Sequence, residues 1–237
     1  MESSRKRPLT YSSSPGDDGY ADDDAGQAKR VKDSDEIADI GLIPPEEAWN
    51  FVTEELLDSP TTIPTPDATQ FDGNNFKNYD SNKSLFVLCV LEDLTLSLAV
   101  LHYALPSLLH ISPNLQALVI ARSPTALSSI MASSPVSLPI VEAQGNPANH
   151  FLKLGLLHPL GGGQRPLDAI VILDTAGRRR LVIPFGWGAG KHVGDLVSGP
   201  AIQQRFLTLL QDSVVELERE KAKSKKKDFY EVAKMYF

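Results

Sequence analysis

The longest unbroken apolar run, LFVLCVL at Leu85 to Leu91, has no polar position and predicts a central strand buried on both faces. Leu96 to His110 is apolar nearly all round and predicts a mostly buried helix, closed by the Ile111 to Asn114 turn (ISPN). A second strand follows at Leu115 to Ala121. Ser123 then offers an N-cap with Pro124 at the first helical position, and Leu127, Ile130 and Met131 keep helical spacing. Leu138 to Ala143 suits a short strand, and Ala148 to Leu157 returns to helical periodicity, with Asn146 as its expected cap before Pro147. The order to this point is β-α-β-α-β-α. DAIVILDTAGRRRLVIPF breaks the alternation and predicts an antiparallel hairpin turning at Asp174 to Gly177, with glycine where a positive φ is needed. Ile202, Phe206, Leu209, Leu210, Val214 and Leu217 predict a helix from Pro200 to about Glu220, dissolving into the basic KAKSKKK stretch.

The flanks read differently. Residues 1–41 are rich in Ser, Asp, Gly, Lys and Arg and bury too little to offset the entropy of ordering, so a disordered charged tail is expected. Within 42–83, Pro44 to Leu57 predicts a short helix, its start marked by two prolines and two glutamates, with Trp49, Val52 and Leu56 on one face. Residues 59–83, with Pro60, Pro64, Pro66 and several Asn, Asp and Gly, read as a linker or surface wrap. The main domain is therefore expected at 84–220, with a basic and aromatic tail at 221–237.

Charge narrows the classes. The chain of 237 residues carries a formal net charge of -7, which disfavours nucleic acid or anionic membrane as a whole-protein partner. A single cysteine excludes an intramolecular disulfide and cysteine-rich zinc frameworks, and the N-terminal stretch lacks the apolar centre of a signal peptide, so a reducing compartment and no secretion are expected. No segment is apolar enough to be read as a membrane span.

Alternating strands and helices closed by a hairpin and a final helix describe an α/β fold, a mixed sheet with helices on both faces. From Leu85 to Glu220 that order resembles the thioredoxin fold in its peroxiredoxin (AhpC/TSA-like) form. PIVEAQGNPANHFLKLGLL is similar to the family's short strand, turn and helix ending in Leu-Gly, and AIVILDTAGRRR to its strand, Asp-x-x-Gly turn and basic strand start. The resemblance implies a Pro-x-x-x-Thr-x-x-Cys motif just after the first central strand, where the thiolate attacks peroxide. Here that stretch is Leu91 to Leu98. Thr95 matches, but Leu91 replaces the proline and Leu98 the reacting cysteine, and leucine is no nucleophile. The arginine that the family places before the hairpin falls on Asp168, a reversal of charge, with Arg165 close in sequence. The expected catalytic set is thus empty, leaving Thr95, Leu98 and Asp168 as vestigial pocket positions.

Other candidates are weaker. Cys89 lies mid-strand and reads as a small buried hydrophobe, badly placed to replace the missing thiol. His102, His110, His150, His158 and His192 are scattered without metal-ligand spacing, and the glycine-rich loop at Gly186 to Gly190, followed by Lys191, lacks phosphate-loop spacing, so no metal or cofactor is expected. Gly161 to Gly163 reads as a loop. Asp93, Ser97 and His102 hold the residue types of a hydrolytic triad without a nucleophile elbow. Lys29, Arg30 and Lys32, on an extended polar segment, resemble a monopartite nuclear localisation signal, with Arg5 to Arg7 as a second basic cluster.

The sequence therefore points to a catalytically inactive thioredoxin-fold protein of the nucleus or nucleocytoplasm, acting through protein contacts, with an import receptor as one partner and the functional partner unnamed. The 44–57 segment and the final DFYEVAKMYF offer docking material, and a homodimer stays open. The competing expectation is an enzyme or small-molecule binder that reuses the pocket through Thr95, Arg165, Asp168 or the glycine loop, or a weak antioxidant oxidoreductase.

Overall fold

The computed structural model describes residues 40–92, 96–123, 127, 131–143, 149–163, 165–185 and 199–236, with the backbone alone at 199–202 and 227–236. The strand β4 (Phe86–Leu91) is fully buried and lies at the centre of a seven-stranded sheet. On one side it pairs in parallel with β5 (Gln116–Ala121), in register from Phe86↔Gln116 to Leu91↔Ala121. On the other it pairs antiparallel with β8 (Ala169–Leu173). Parallel neighbours need a crossover, and α2 (Leu96–Ile111) supplies it. β7 (Ile140–Glu142) extends the parallel side beyond β5, and β9 (Arg178–Pro184) completes the hairpin with β8. The result is the expected mixed sheet, thioredoxin-like in its order of elements.

Both faces of the sheet are covered, which is why β4 and β8 have no polar position. Val87, Cys89 and Leu91 join α2 and the long helix α4 (Gly199–Tyr236) in one core. Phe86, Leu88 and Val90 face the other core, which is closed by Phe51 and Leu56 beside the five-residue α1 (Thr53–Leu57), and by Phe151 and Leu154 around α3 (His150–Lys153). Phe206, Leu210, Val214 and Leu217 form the buried stripe of α4, and Phe206 meets Phe185 edge-on with ring centroids 5.3 Å apart. Among the described residues no helix is long and apolar enough to cross a membrane.

Three local expectations are corrected. The helix expected at Pro44 to Leu57 is confined to its last turn, because β1 (Trp49–Asn50) pairs with the hairpin strand through Trp49↔Arg179 and Asn50↔Arg178, and Phe51 N–H donates to Gly177 O at 2.8 Å. Backbone partners on the sheet override the helical pattern, leaving Trp49 and Val52 exposed and Phe51 and Leu56 buried. The helix expected at Ala148 to Leu157 is four residues long and capped by Asn149, whose side chain accepts from Leu152 N–H at 3.2 Å; Asn146 lies outside the described residues. The last helix does not dissolve near Glu220. Its basic continuation has neither Gly nor Pro and is built largely from good helix formers, and α4 runs to Tyr236. Residues 124–126 and 128–130, most of the helix expected after Ser123, lie outside the described residues, although Leu127 and Met131 are buried as their spacing predicts.

The polar segment 59–83 is a wrap. β2 (Thr61–Thr62) caps the sheet edge against β7, and β3 (Phe71–Asp72) pairs in parallel with β6 (Val136–Ser137). Its amides serve loop carbonyls: Asn75 Nδ2 donates to Pro113 O and Leu115 O at 2.9 and 2.8 Å. Gln116 Nε2 in turn donates to Asn75 O at 3.1 Å.

One buried cation ties the periphery together. Arg180, 2% exposed, donates through Nη1 and Nη2 to the two carboxylate oxygens of Glu220 at 2.7 and 3.0 Å, and through Nη1 to Asp174 Oδ2 at 3.3 Å. Its Nε donates to Ile43 O at 2.6 Å, and Ile43 N–H returns to Arg180 O at 2.7 Å. The hydrogen bonds from Arg180 hold the Glu220 carboxyl below its ordinary value of 4.5. Its contribution to stability is therefore present above about pH 4.5 and is lost as pH falls through the depressed value. Glu220→Gln is expected to lower stability by about 2 kcal/mol at pH 7, because it leaves a buried guanidinium short of its partner. Urea denaturation checks this: the gap between the two proteins should narrow in acid, and equal stability at pH 7 would remove the clamp from the account.

Candidate functional site

In open sheets of this kind ligands bind beyond the carboxyl ends of the parallel strands, here beyond Leu91 and Ala121. The last pair in register is followed on β4 by Glu92 and on β5 by Arg122, so opposite charges meet: Arg122 Nη2 lies 3.2 Å from Glu92 Oε1. Arg165 approaches the same oxygen at 3.7 Å. Glu92 is largely buried, whereas both arginine side chains are more than half exposed. Asp168, just ahead of β8, accepts the Glu92 N–H at 2.8 Å through Oδ1, and its main-chain carbonyl accepts from Phe185 N–H at 2.8 Å. Asp168 thereby pins the end of β4 to both strands of the hairpin.

Behind this cluster the interior is apolar. Leu98, in the first turn of α2, is 2% exposed and belongs to the core shared by α2, α4 and the sheet. Cys89, two residues before the end of β4, is fully buried and donates its thiol hydrogen to Ser97 Oγ at 3.3 Å. Burial pushes the Cys89 thiol up to about 12, an effect reduced by the Ser97 hydrogen bond and reinforced by the negative charge of Asp168. A thiol so held is almost wholly protonated at neutral pH and unreactive as a nucleophile.

The structure thus brings Leu98, Cys89, Ser97, Asp168 and Arg165 to one end of β4. Thr95 and Asp93 lie outside the described residues, as do the glycine loop with Lys191 and His192, and the basic residues Lys29, Arg30 and Lys32. Ser97 Oγ accepts the Cys89 thiol hydrogen. Glu92 and Arg122 are absent from the sequence-level candidates. Their signal was available: two apolar runs of equal length, each followed at once by a charge of opposite sign, are parallel neighbours with their ends in register.

A second polar pair lies under the opposite face. His150, fully buried, has Nε2 at 2.8 Å from Ser59 Oγ, while Ser59 donates its only hydroxyl hydrogen to Glu55 O at 2.7 Å. His150 Nε2 must therefore be the donor, which leaves a bare lone pair on the buried Nδ1. Burial, with Lys153 adding to it and Glu55 opposing, lowers the imidazole's affinity for a second proton. Ser59 caps α1, and His150 carries the proton on the nitrogen that a general base for Ser59 would need free.

No protein-family model matches the chain. Among curated proteins, the Uba3-binding protein but1 of Schizosaccharomyces pombe is 48% identical over 49 residues, which is 21% of this chain and 19% of that protein. This chain therefore spans only about a fifth of that relative's length. Among solved structures, the mitochondrial 2-Cys peroxiredoxin of Plasmodium falciparum is 13% identical, with a TM-score of 0.41, over 60% of this chain and 81% of that one. The AhpC of Mycobacterium tuberculosis is 15% identical, with a TM-score of 0.36, over 59% of this chain and 84% of that one.

The burial of Cys89 has a direct chemical readout. In the native protein at pH 8 the thiol is expected to react with a disulfide reagent at least about a hundredfold more slowly than in urea-unfolded chain, given the raised pKa and the absence of solvent contact. Comparable rates in the two states would contradict the buried placement.

Proposed function

We propose that this chain is a protein-binding module on a thioredoxin-like scaffold, without thiol peroxidase chemistry, and that its partner is a Uba3-related protein. The observation that carries the non-catalytic part is the sealed end of β4. Leu98 fills the position where the resemblance puts the reacting cysteine, and the only thiol is fully buried behind it, with its pKa raised to about 12. Reuse of the old pocket is served less well, because Glu92 is met by two arginines and the Asp168 carboxylate is engaged by the Glu92 N–H. The partner is supported by the 49-residue likeness to a protein named for binding Uba3. Calorimetry of the full chain against S. pombe Uba3 is expected to give saturable binding in the micromolar range or tighter, about -8 kcal/mol or better. Absence of heat at that concentration rejects the named partner. In the same preparation, peroxide consumption with a thioredoxin reducing system is expected to match buffer. Turnover abolished by Cys89→Ser would overturn the non-thiol reading.

The same proposal places the protein in the nucleus or nucleocytoplasm, supported by the Lys29-Arg30-Val31-Lys32 cluster on a polar segment. Residues 1–40 fused to a cytosolic reporter are expected to carry it into the nucleus, and alanine at Lys29, Arg30 and Lys32 to abolish this. A reporter that stays cytosolic with the intact segment removes the localisation.

A further inference from the structure

β1 is the last strand on its side of the seven-stranded sheet, and its pairing with β9 fixes which of its backbone groups face out. Phe51 N–H donates to Gly177 O, so by alternation the N–H and C=O of Asn50 and the N–H of Val52 turn away from the sheet, and no hydrogen bond meets them among the described residues. The backbone stays extended as far as Val52, at φ -84° and ψ 102°, before α1 begins. Apolar side chains flank this open edge on both faces. Trp49 is 56% exposed, and Val52, an odd number of positions further along and so on the opposite face, is 53% exposed. An unpaired edge is a template for another strand, and tryptophan is among the commonest anchors of a protein interface.

The charges around the edge select what pairs with it. Glu46 and Glu47 precede the strand and Glu54 follows it, all three exposed and none in an ion pair among the described residues, whereas the neighbouring Glu55 is held by Lys153. From Ile40 to Phe76 the chain has seven Asp and Glu and no Lys or Arg. On the adjacent strand Arg178 is paired with Asp174, while Arg179 stacks on the Trp49 ring, 5.8 Å from its centroid, and donates to Leu154 O. Three unpaired carboxylates therefore stand around the edge against one guanidinium that lacks a carboxylate.

We infer that the open edge of β1 takes an extended basic segment of a partner protein as a further strand. Its backbone pairs with Asn50 and Val52, its Lys or Arg side chains meet Glu46, Glu47 and Glu54, and Trp49 covers one face of the added strand. A second copy of this chain fits less well. A two-fold antiparallel pairing about Asn50 brings Glu46 of one copy towards Glu54 of the other, and like charges set opposite one another are destabilising. The inference rests on the protein-binding reading above and adds where, and by what chemistry, the partner is held.

Fluorescence polarisation on the full chain tests it, using a labelled peptide of about eight residues in which Lys alternates with Val. Three controls accompany it: Gln for Lys, Glu for Lys, and the Lys peptide N-methylated at every amide, which keeps the charge but cannot donate to a strand. The Lys peptide is expected to bind, and to bind at least about tenfold more tightly than each control. Glu46→Gln with Glu47→Gln and Glu54→Gln, all at exposed positions, should weaken it by at least about tenfold while leaving the melting temperature near that of the unmodified chain. If that variant melts lower, Glu46→Gln with Glu47→Gln, which lies outside α1, takes its place with the same expectation. Equal binding of the Gln or N-methylated control, tighter binding of the Glu peptide, or unchanged binding by the variant would each overturn the inference. Absence of binding to a chain that sediments as a dimer gives the edge to a second copy, and absence of binding to a monomer leaves the carboxylates as guards against pairing; either overturns it too. Uba3 bound by a chain that ignores the Lys peptide sinks the edge alone. Peptide binding in a chain that ignores Uba3 sinks the named partner alone.

Discussion

The Arg180 guanidinium is the point on which the outer parts of the structure depend. It is a charge taken almost wholly out of water, and such a charge is tolerable only when its donors are met. Three separate stretches of chain meet them: the carbonyl of Ile43 ahead of β1, the turn carboxylate of Asp174, and Glu220 on α4. Hydrophobic burial would allow these segments to slide over the sheet, since apolar contact has no direction. The planar fork of arginine does have direction, and it fixes where the N-terminal segment crosses, where the hairpin turns and how α4 is rotated.

At the other end of the sheet a different economy holds. The position beyond β4 is rich in charge, yet its carboxylates are met by the protein's own groups: Glu92 by Arg122 and Arg165, and Asp168 Oδ1 by the Glu92 N–H. Immediately behind lies the apolar interior with Leu98 and Cys89. A thiol can act there only if it is ionised and reachable, and Cys89 is neither.

Much of this was legible in the sequence because the signals were long. The apolar runs at 85–91 and 115–121, the Asp174 to Gly177 turn and the stripe from Phe206 to Leu217 each repeat one period over enough residues to outweigh local accidents. Gly177 shows how specific a short signal can be: its φ is +73°, and a Cβ there would lie 2.3 Å from Phe51 O. Where the sequence misled, tertiary contact decided. Trp49 and Asn50 are held by pairing with the hairpin strand, 130 and 128 positions away, which no local window contains. Arg180 was equally hidden, since three consecutive arginines read as a basic strand start and nothing local marks the last of the three as the buried one. At the candidate site, Leu98 and Asp168 could be placed by resemblance, whereas Glu92 and Arg122 emerge only once β4 and β5 are known to be neighbours.

That neighbour relation has a further meaning. In a strand with one wet face, a slip of one residue exposes apolar side chains, so the burial pattern itself guards the alignment. β4 is buried on both faces along its whole length, and the apolar interior of β5 is likewise enclosed, so burial alone scarcely distinguishes one alignment of the pair from the next. The information that selects one has been moved to the ends. Gln116, fastened to Asn75 O and Asn114 O, marks the beginning of the pair, and the Glu92 to Arg122 contact marks its finish. Polar groups that look peripheral to the core are thus the ruler against which its two central strands are measured.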